Sequence, residues 1–232
     1  MTLSKRLEPT LLTDQVYAVL HDAIISGDLP AGARLRIRDL AEQVGTSVMP
    51  VREAIRRLEE AGLAEREPHK GAVVKRLTLE ELVHAYDVRR LLEGEAARLG
   101  SERVTDDDCD RMQVEYELMV AAINDGRVID HLDHDEALLT ILYTASGNPV
   151  LVNMIRTLWQ HCRAYKIVFA RGALDTSEPD LLSDCQEDLV NAARKRDGAA
   201  AFSISETSLI TARERIRALL AAQQEGERAS AV

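Results

Sequence analysis

Met49, Arg52 and Arg56, in the run TSVMPVREAIRRLEEAG, stand three and four positions apart. That spacing puts side chains on one face of a helix. Val51, Ala54, Ile55 and Leu58 of the same run form an apolar stripe on the other side, so the arginine face is free to meet a partner. Guanidiniums presented this way suit the O6 and N7 acceptors of guanine in a DNA major groove, and Arg52 is the leading candidate for a base contact. Met49 and Pro50 in the first turn join the same candidate face. Ser47 at the helix start, Arg38 upstream and Lys70 with Gly71 downstream offer hydroxyl, guanidinium, ammonium and backbone donors for phosphate oxygens. Taken alone, Arg52, Arg56 and Arg57 beside Glu53, Glu59 and Glu60 read more readily as a solvated, salt-bridged surface. The elements around the helix decide between the two.

Residues 13–26 carry Val16, Leu20, Ala23 and Ile24 at helical spacing, with Thr13 as N-cap and Gly27 as stop. GDLPAGARL is a Gly/Pro-punctuated turn. IRDLAEQVG predicts a short helix packed through Ile37, Leu40, Ala41 and Val44 and ended by Gly45. The arginine helix follows after a short turn, capped by Ser47 and closed by Gly62, which is the order of a helix-turn-helix. LAEREPHKGAVVKRL then predicts strands at 63–67 and 71–76 around a Pro-His-Lys-Gly tip, a wing. Residues 10–77 therefore read as a winged helix-turn-helix domain. From Thr78 onward only helical patterns occur, at 78–101, 105–125, 127–145, 148–171, 178–196 and 198–223, with the last residues, EGERASAV, expected to fray. Residues 78–223 read as a six-helix bundle, and the fold class is mostly α.

The composition agrees, with 46% hydrophobic residues and only 3% aromatic in 232, which favours helix over sheet in an ordinary globular protein. A net charge of −10 argues against nucleic acid until its distribution is read. Residues 1–77 hold 12 basic against 11 acidic side chains, whereas residues 78–232 hold 17 against 28, so the acidity belongs to the second domain. No apolar run approaches a membrane span and the N-terminus lacks a signal-peptide core, which places the chain in the cytoplasm with no membrane partner. Cys109, Cys162 and Cys185 are far apart and outside any CxxC pattern, so they read as reduced thiols. Neither GxSxG, GxxxxGK[ST] nor HExxH occurs, and the chain is not expected to be an enzyme.

The run from Gly27 to Val74, in particular SVMPVREAIRRLEEAGLAEREPHKGAVV, resembles the DNA-binding signature of the GntR family of bacterial regulators. The resemblance implies that Arg38, Ser47, Arg52 and Gly71 lie at the DNA. Many members have an arginine after the serine, where this chain has Val48. AYDVRRLLEGEAARLGSERVT, DEALLTILYTASGNPVL and the pair of helices around ARKRDGAAA resemble the FCD subgroup of that family. Such domains are helical bundles that dimerise and often hold a divalent metal beside a carboxylate effector, on one Asp and three His. The matching positions here are Asp135, Leu139, Gln186 and Ser208, so no metal is expected. His131 with Asp135 and Asp130 with His134 form i,i+4 pairs that offer a substitute site, or else a polar helix start exposed to water.

Arg89 falls where the family has an arginine facing the effector cavity, and either receives a ligand carboxylate or pairs with Glu93 four residues on. Arg89, Asp135, Gln186 and Ser208 are the candidate effector contacts. The reading is a homodimeric repressor that binds double-stranded operator DNA and releases it when a small organic molecule, a carboxylate foremost, enters the second domain. The alternative is a DNA-binding dimer whose second domain only dimerises.

Overall fold

The computed structural model describes residues 10–175 and 185–230, and it divides into two compact units between Arg76 and Leu77. The first unit holds α1 (Thr10–Ser26), α2 (Ile37–Gln43), α3 (Val48–Glu60), β1 (Ala64–Glu67) and β2 (Gly71–Val74). Its core is drawn from the predicted stripes. Val16, Leu20 and Ile24 of α1, Leu40 and Ala41 of α2, and Val51, Ala54, Ile55 and Leu58 of α3 are all buried together. Each contributes about 1.5–3 kcal/mol of apolar burial when the side chain is large.

Helix α1 starts at Thr10 instead of at a Thr13 cap. Nothing between Pro9 and Thr13 breaks a helix, so the first turn forms ahead of the threonine. The strands pair antiparallel with Ala64 opposite Val74 and Glu67 opposite Gly71. Ala33–Leu35, read in the sequence as part of a turn, adds a third edge to the hairpin. Arg34 bridges Val73, Leu35 donates its N–H to Ala72 O at 2.8 Å and Val74 donates to Ala33 O at 2.8 Å. Too short to carry a strand pattern and preceded by Pro30 and Gly32, the segment is held by its partner's open edge.

The second unit holds α4 (Leu79–Ser101), α5 (Asp106–Asn124), α6 (Val128–Thr144), α7 (Pro149–Asp175), α8 (Gln186–Arg194) and α9 (Gly198–Ser230), six helices among the described residues. Capping boxes start two of them, Thr78 with Glu81 and Thr105 with Asp108. Helix α4 packs along α9, and α5 along α6, around Met112, Leu138, Leu142, Tyr143, Ile155, Trp159 and Leu189. A β-carbon at Gly100 would lie 2.0 Å from the Leu142 carbonyl oxygen. Only glycine lets α4 approach α6 this closely.

In the second unit three boundaries differ from the sequence pattern by more than two residues. Helix α7 runs on to Asp175, and α8 begins at Gln186, with 178–184 of the expected helix lying outside the described residues. Helix α9 continues to Ser230 where fraying was expected after 223, because ALLAAQQEGER is made almost wholly of strong helix formers.

Candidate DNA-binding face and ligand cavity

In the first unit α3 presents its predicted outer face. Met49 is 62% exposed, Arg52 and Arg56 are exposed and Pro50 is half-buried. Ser47 occupies the N-cap position, as its type predicts, but its side chain makes no capping hydrogen bond. Its hydroxyl and the first turn's N–H groups are therefore open to a phosphate oxygen. Arg38 on α2 is also exposed. Gly71 at the wing tip has φ +80 with nothing within 4 Å of the position a β-carbon would take, so a nucleic-acid backbone can approach the main chain there. Lys70, beside it, bonds Glu67 at 2.5 Å.

The arginines of α3 differ in what already holds them. Arg57 turns inward, 4.4 Å over the Tyr17 ring and 2.6 Å from Asp14, and fastens α3 to α1. Arg56 is gripped by Glu53 and Glu60 on its own helix, and hydrogen bonding to Arg56 holds the Glu53 carboxyl below its ordinary range. Arg52 has no ion pair or side-chain hydrogen bond recorded among the described residues, which leaves its five N–H donors for a partner. The two arginines placed together by spacing are thus not equivalent.

The second unit encloses a cavity of about 510 Å³ between α4, α6, α7, α8 and α9. All four predicted contacts, Arg89, Asp135, Gln186 and Ser208, line it. Arg89 forms the ion pair with Glu93 that the sequence left open, and it also lines the cavity. Its Nε donates to Glu93 Oε1 at 2.6 Å, with both residues buried. Glu93 also accepts from Trp159 Nε1 at 3.0 Å and from the Tyr143 hydroxyl at 3.4 Å. Burial alone would weaken the Arg89 charge, but Glu93 more than offsets it.

Asp135 is equally committed. Lys166 Nζ lies 2.9 Å from its Oδ2, and Gln186 Nε2 donates to Oδ1 at 2.7 Å. Burial pushes the Asp135 carboxyl up, and Lys166 with Gln186 and His131 more than reverses this, so it stays ionised. Burial alone would likewise pull Lys166 down, and Asp135 and Glu136 hold it charged. Ser208 accepts a weak hydrogen bond from Cys185 Sγ at 3.4 Å. Aromatic walls come from Tyr86, Tyr165 and Phe169. Burial raises the tyrosine hydroxyls, Tyr165 to about 12, so they act as neutral donors and acceptors.

These residues do not fit the divalent ion that the family resemblance implies. Leu139 has no donor atom, Gln186 turns its amide nitrogen to Asp135, and an ammonium already lies on the one carboxylate. Among the described residues no group of three His, Cys, Asp or Glu side chains could hold a metal. The paired histidines form no substitute site, and their helix start is not the uniformly exposed one considered from sequence. His131 is buried with Nδ1 3.1 Å from Met119 O, while His134 pairs with Glu115 at 2.7 Å and Asp130 with Arg127.

Lys166 escaped the sequence reading. Its signal was a lysine at helical spacing from Trp159, Cys162 and Ala170 on α7, a position where a charge persists only if paired.

The family model for bacterial regulatory proteins of the gntR family matches residues 12–74, and the FCD domain model matches residues 84–211. The chain is 44% identical over 98 residues to the probable D-xylose utilization operon transcriptional repressor of Paenarthrobacter nicotinovorans, covering 42% of this chain and 43% of that protein. It is 30% identical over 154 residues to the HTH-type transcriptional regulator McbR of Escherichia coli, covering 66% and 70%. The solved structure of E. coli McbR/YncC superposes with a TM-score of 0.75 at 25% identity, covering 90% of this chain and 98% of that one. A GntR regulator from Rhodococcus sp. RHA1 superposes at 0.74 with 22% identity, over 89% and 97%, and so shares the fold.

Proposed function

The chain belongs to the GntR family of bacterial regulatory proteins, with an FCD domain as its second unit, and from that premise we propose a homodimeric, ligand-responsive repressor acting in the cytoplasm. It is a DNA-binding transcriptional regulator and not an enzyme. No described helix is long and apolar enough to cross a membrane. Two copies of α3 reach the half-sites of a short palindrome. Arg52 reads a base edge, while Arg38, Ser47, Lys70 and Gly71 hold phosphates and Met49, Pro50 and Arg56 flank the contact. A small organic molecule enters the cavity beside Arg89, Asp135, Gln186 and Ser208 without a metal, and weakens operator affinity by changing how the two DNA-binding units are placed.

The observation that carries the sensor reading is the cavity itself. A bundle that only dimerised would fill 510 Å³ with side chains, since interiors are close-packed, and among the described residues this one leaves the space open around buried charges. A carboxylate is the foremost effector class, because guanidinium and ammonium groups stand in the wall. The D-xylose in one relative's name makes a neutral sugar the second class.

Selection of bound sequences from random duplex DNA tests the first half. A palindrome of two equal half-sites is expected, and a single asymmetric site would overturn the dimer. The second half is tested by crystallising the protein as it comes from cells. Density for an organic molecule in the cavity supports a sensor, and a collapsed, side-chain-filled cavity leaves a dimerisation module.

A further inference from the structure

Among the described residues the cavity holds buried cationic donors that its carboxylates leave unsatisfied. Both of its buried carboxylates are already satisfied, Glu93 by Arg89, Trp159 and Tyr143, and Asp135 by Lys166 and Gln186. Left over are Nη1 of Arg89 and Nε of Arg215, buried with no hydrogen-bond partner among the described residues. The Lys166 ammonium has three N–H groups and gives one to Asp135, with Glu136 farther off at 3.9 Å. The remaining acid among the described residues of the wall, Asp188, is exposed. A buried N–H without an acceptor is unfavourable, and two cations facing one space repel, Arg89 pulling Lys166 down. A guest that brings oxygen acceptors and negative charge relieves both.

Lys166 also stands where an ion would have to be. An ammonium 2.9 Å from Asp135 Oδ2 excludes a divalent cation from that oxygen, since two cations cannot share one carboxylate lone pair in a buried site without strong repulsion. It can do part of such an ion's work, fixing one positive charge beside the ligand, while leaving the carboxylate ionised.

We propose that Lys166 is the built-in cation of this cavity, seated on Asp135 in place of a divalent metal, and that with Arg89 it binds the carboxylate group of a small organic acid. The inference rests on the sensor reading and deepens it by assigning the ligand's charged group and its anchor. Tyr86, Tyr165 and Phe169 then cover the acid's body, and Ser208 serves its polar substituents.

The test uses the full chain in EDTA and follows its thermal midpoint against a panel of aliphatic, aromatic and sugar carboxylates, begun with benzoate, citrate and D-glucuronate, with D-xylose as the neutral probe. A ligand that binds only the folded state raises the midpoint with concentration. At least one carboxylate is expected to stabilise the protein in EDTA. Its apparent affinity should fall at least about tenfold in Lys166→Met, the loss of one charge-assisted hydrogen bond, and recover in Lys166→Arg. Should Lys166→Met fail to fold with Asp135 unpaired, Asp135→Asn/Lys166→Met removes both charges and keeps an acceptor for Gln186, and the same loss is expected there.

Stabilisation that needs added zinc or manganese overturns the inference. So does carboxylate binding that survives in Lys166→Met, or in Asp135→Asn/Lys166→Met where the single variant does not fold, which leaves the sensor reading standing with another anchor. Stabilisation by D-xylose alone refutes the anionic ligand and keeps a sensor. A flat response to every probe removes the inference and the sensor reading together.

Discussion

Arg52 and Arg89 carry the same guanidinium in opposite settings. Arg52 stands in water on α3 with no pair recorded among the described residues, whereas Arg89 is 4% exposed and bound to Glu93 at 2.6 Å. The neighbours of each follow suit. Around Arg52 the charges answer one another across a single helical turn, as Arg56 does with Glu53 and Glu60. Around Arg89 they answer across the bundle, as Glu93 does with Tyr143 and Trp159, and Asp135 with Lys166 and Gln186. A face that must trade counterions for phosphates gains from loosely held charges, since release of small ions drives the association. A cavity that must recognise one small molecule gains from charges whose positions are fixed before it arrives. In the proposed function the same residue type serves recruitment in one unit and preorganisation in the other.

If that contrast is right, the largest effect comes from stripping a buried charge of its partner. Glu93→Leu should destabilise the protein by about 3–5 kcal/mol, because Arg89 is left charged, buried and unpaired. The double variant Arg89→Met/Glu93→Leu should regain most of that loss, since a buried pair replaced by apolar groups is often close to neutral. Urea unfolding of the three proteins measures both, and a single-variant loss below about 1 kcal/mol would mean that water reaches the pair and that the cavity is not preorganised. Next comes Arg52→Ala, with an expected cost of about 1–3 kcal/mol in operator affinity and a change in folding stability within about 0.5 kcal/mol. Fluorescence anisotropy on the selected operator reads the first. Unchanged affinity there would move the base contact off Arg52.

The two units were also unequally legible from sequence. Helix α3 and its exposed face follow from a period of three to four residues within a dozen positions, so Val51, Ala54, Ile55 and Leu58 went inward and Met49, Arg52 and Arg56 outward as predicted. What the period could not convey is pairing. That Arg56 is gripped while Arg52 is open depends on glutamates whose side chains could have pointed elsewhere. In the second unit the helices were readable from their caps and glycines, but the cavity joins α4, α6, α7, α8 and α9. Asp135 meets Gln186 51 positions away, and Lys166 meets Asp135 31 away, distances over which a helical period carries no information. Arg89, Asp135, Gln186 and Ser208 came together through a family resemblance, and Lys166 was outside that pattern altogether. The Ala33–Leu35 edge was hidden for a related reason, its extended form being imposed by β2.

Within α3 the contrast sharpens to two arginines one turn apart. Arg56→Ala should weaken operator binding less than Arg52→Ala, because Arg56 is already neutralised by Glu53 and Glu60. Releasing it with Glu53→Gln/Glu60→Gln should steepen the salt dependence of binding by about one phosphate contact. Equal losses in the two alanine variants would show that DNA pulls Arg56 out of its clamp, and the static difference between them would then carry no functional weight.

The smallest effect is a pH dependence confined to the buried unit. Burial lowers the His131 imidazole from its ordinary 6.5, and the attraction of Asp135 only partly opposes this, while Lys166 and His134 add to the lowering. The folded protein therefore holds His131 neutral at pH values where the unfolded chain protonates it. The sign follows from linkage. The unfolded state binds the extra proton, so the contribution of His131 to stability is present above 6.5 and is lost as the pH falls through the lowered folded value. His131→Asn places an amide nitrogen where Nδ1 donates to Met119 O and removes the titration. Compared in urea between neutral and mildly acid pH, the wild type should lose more stability than the variant. Parallel losses would mean that His131 is protonated in the fold beside Asp135, and that the carboxylate then shares its charge between Lys166 and an imidazolium.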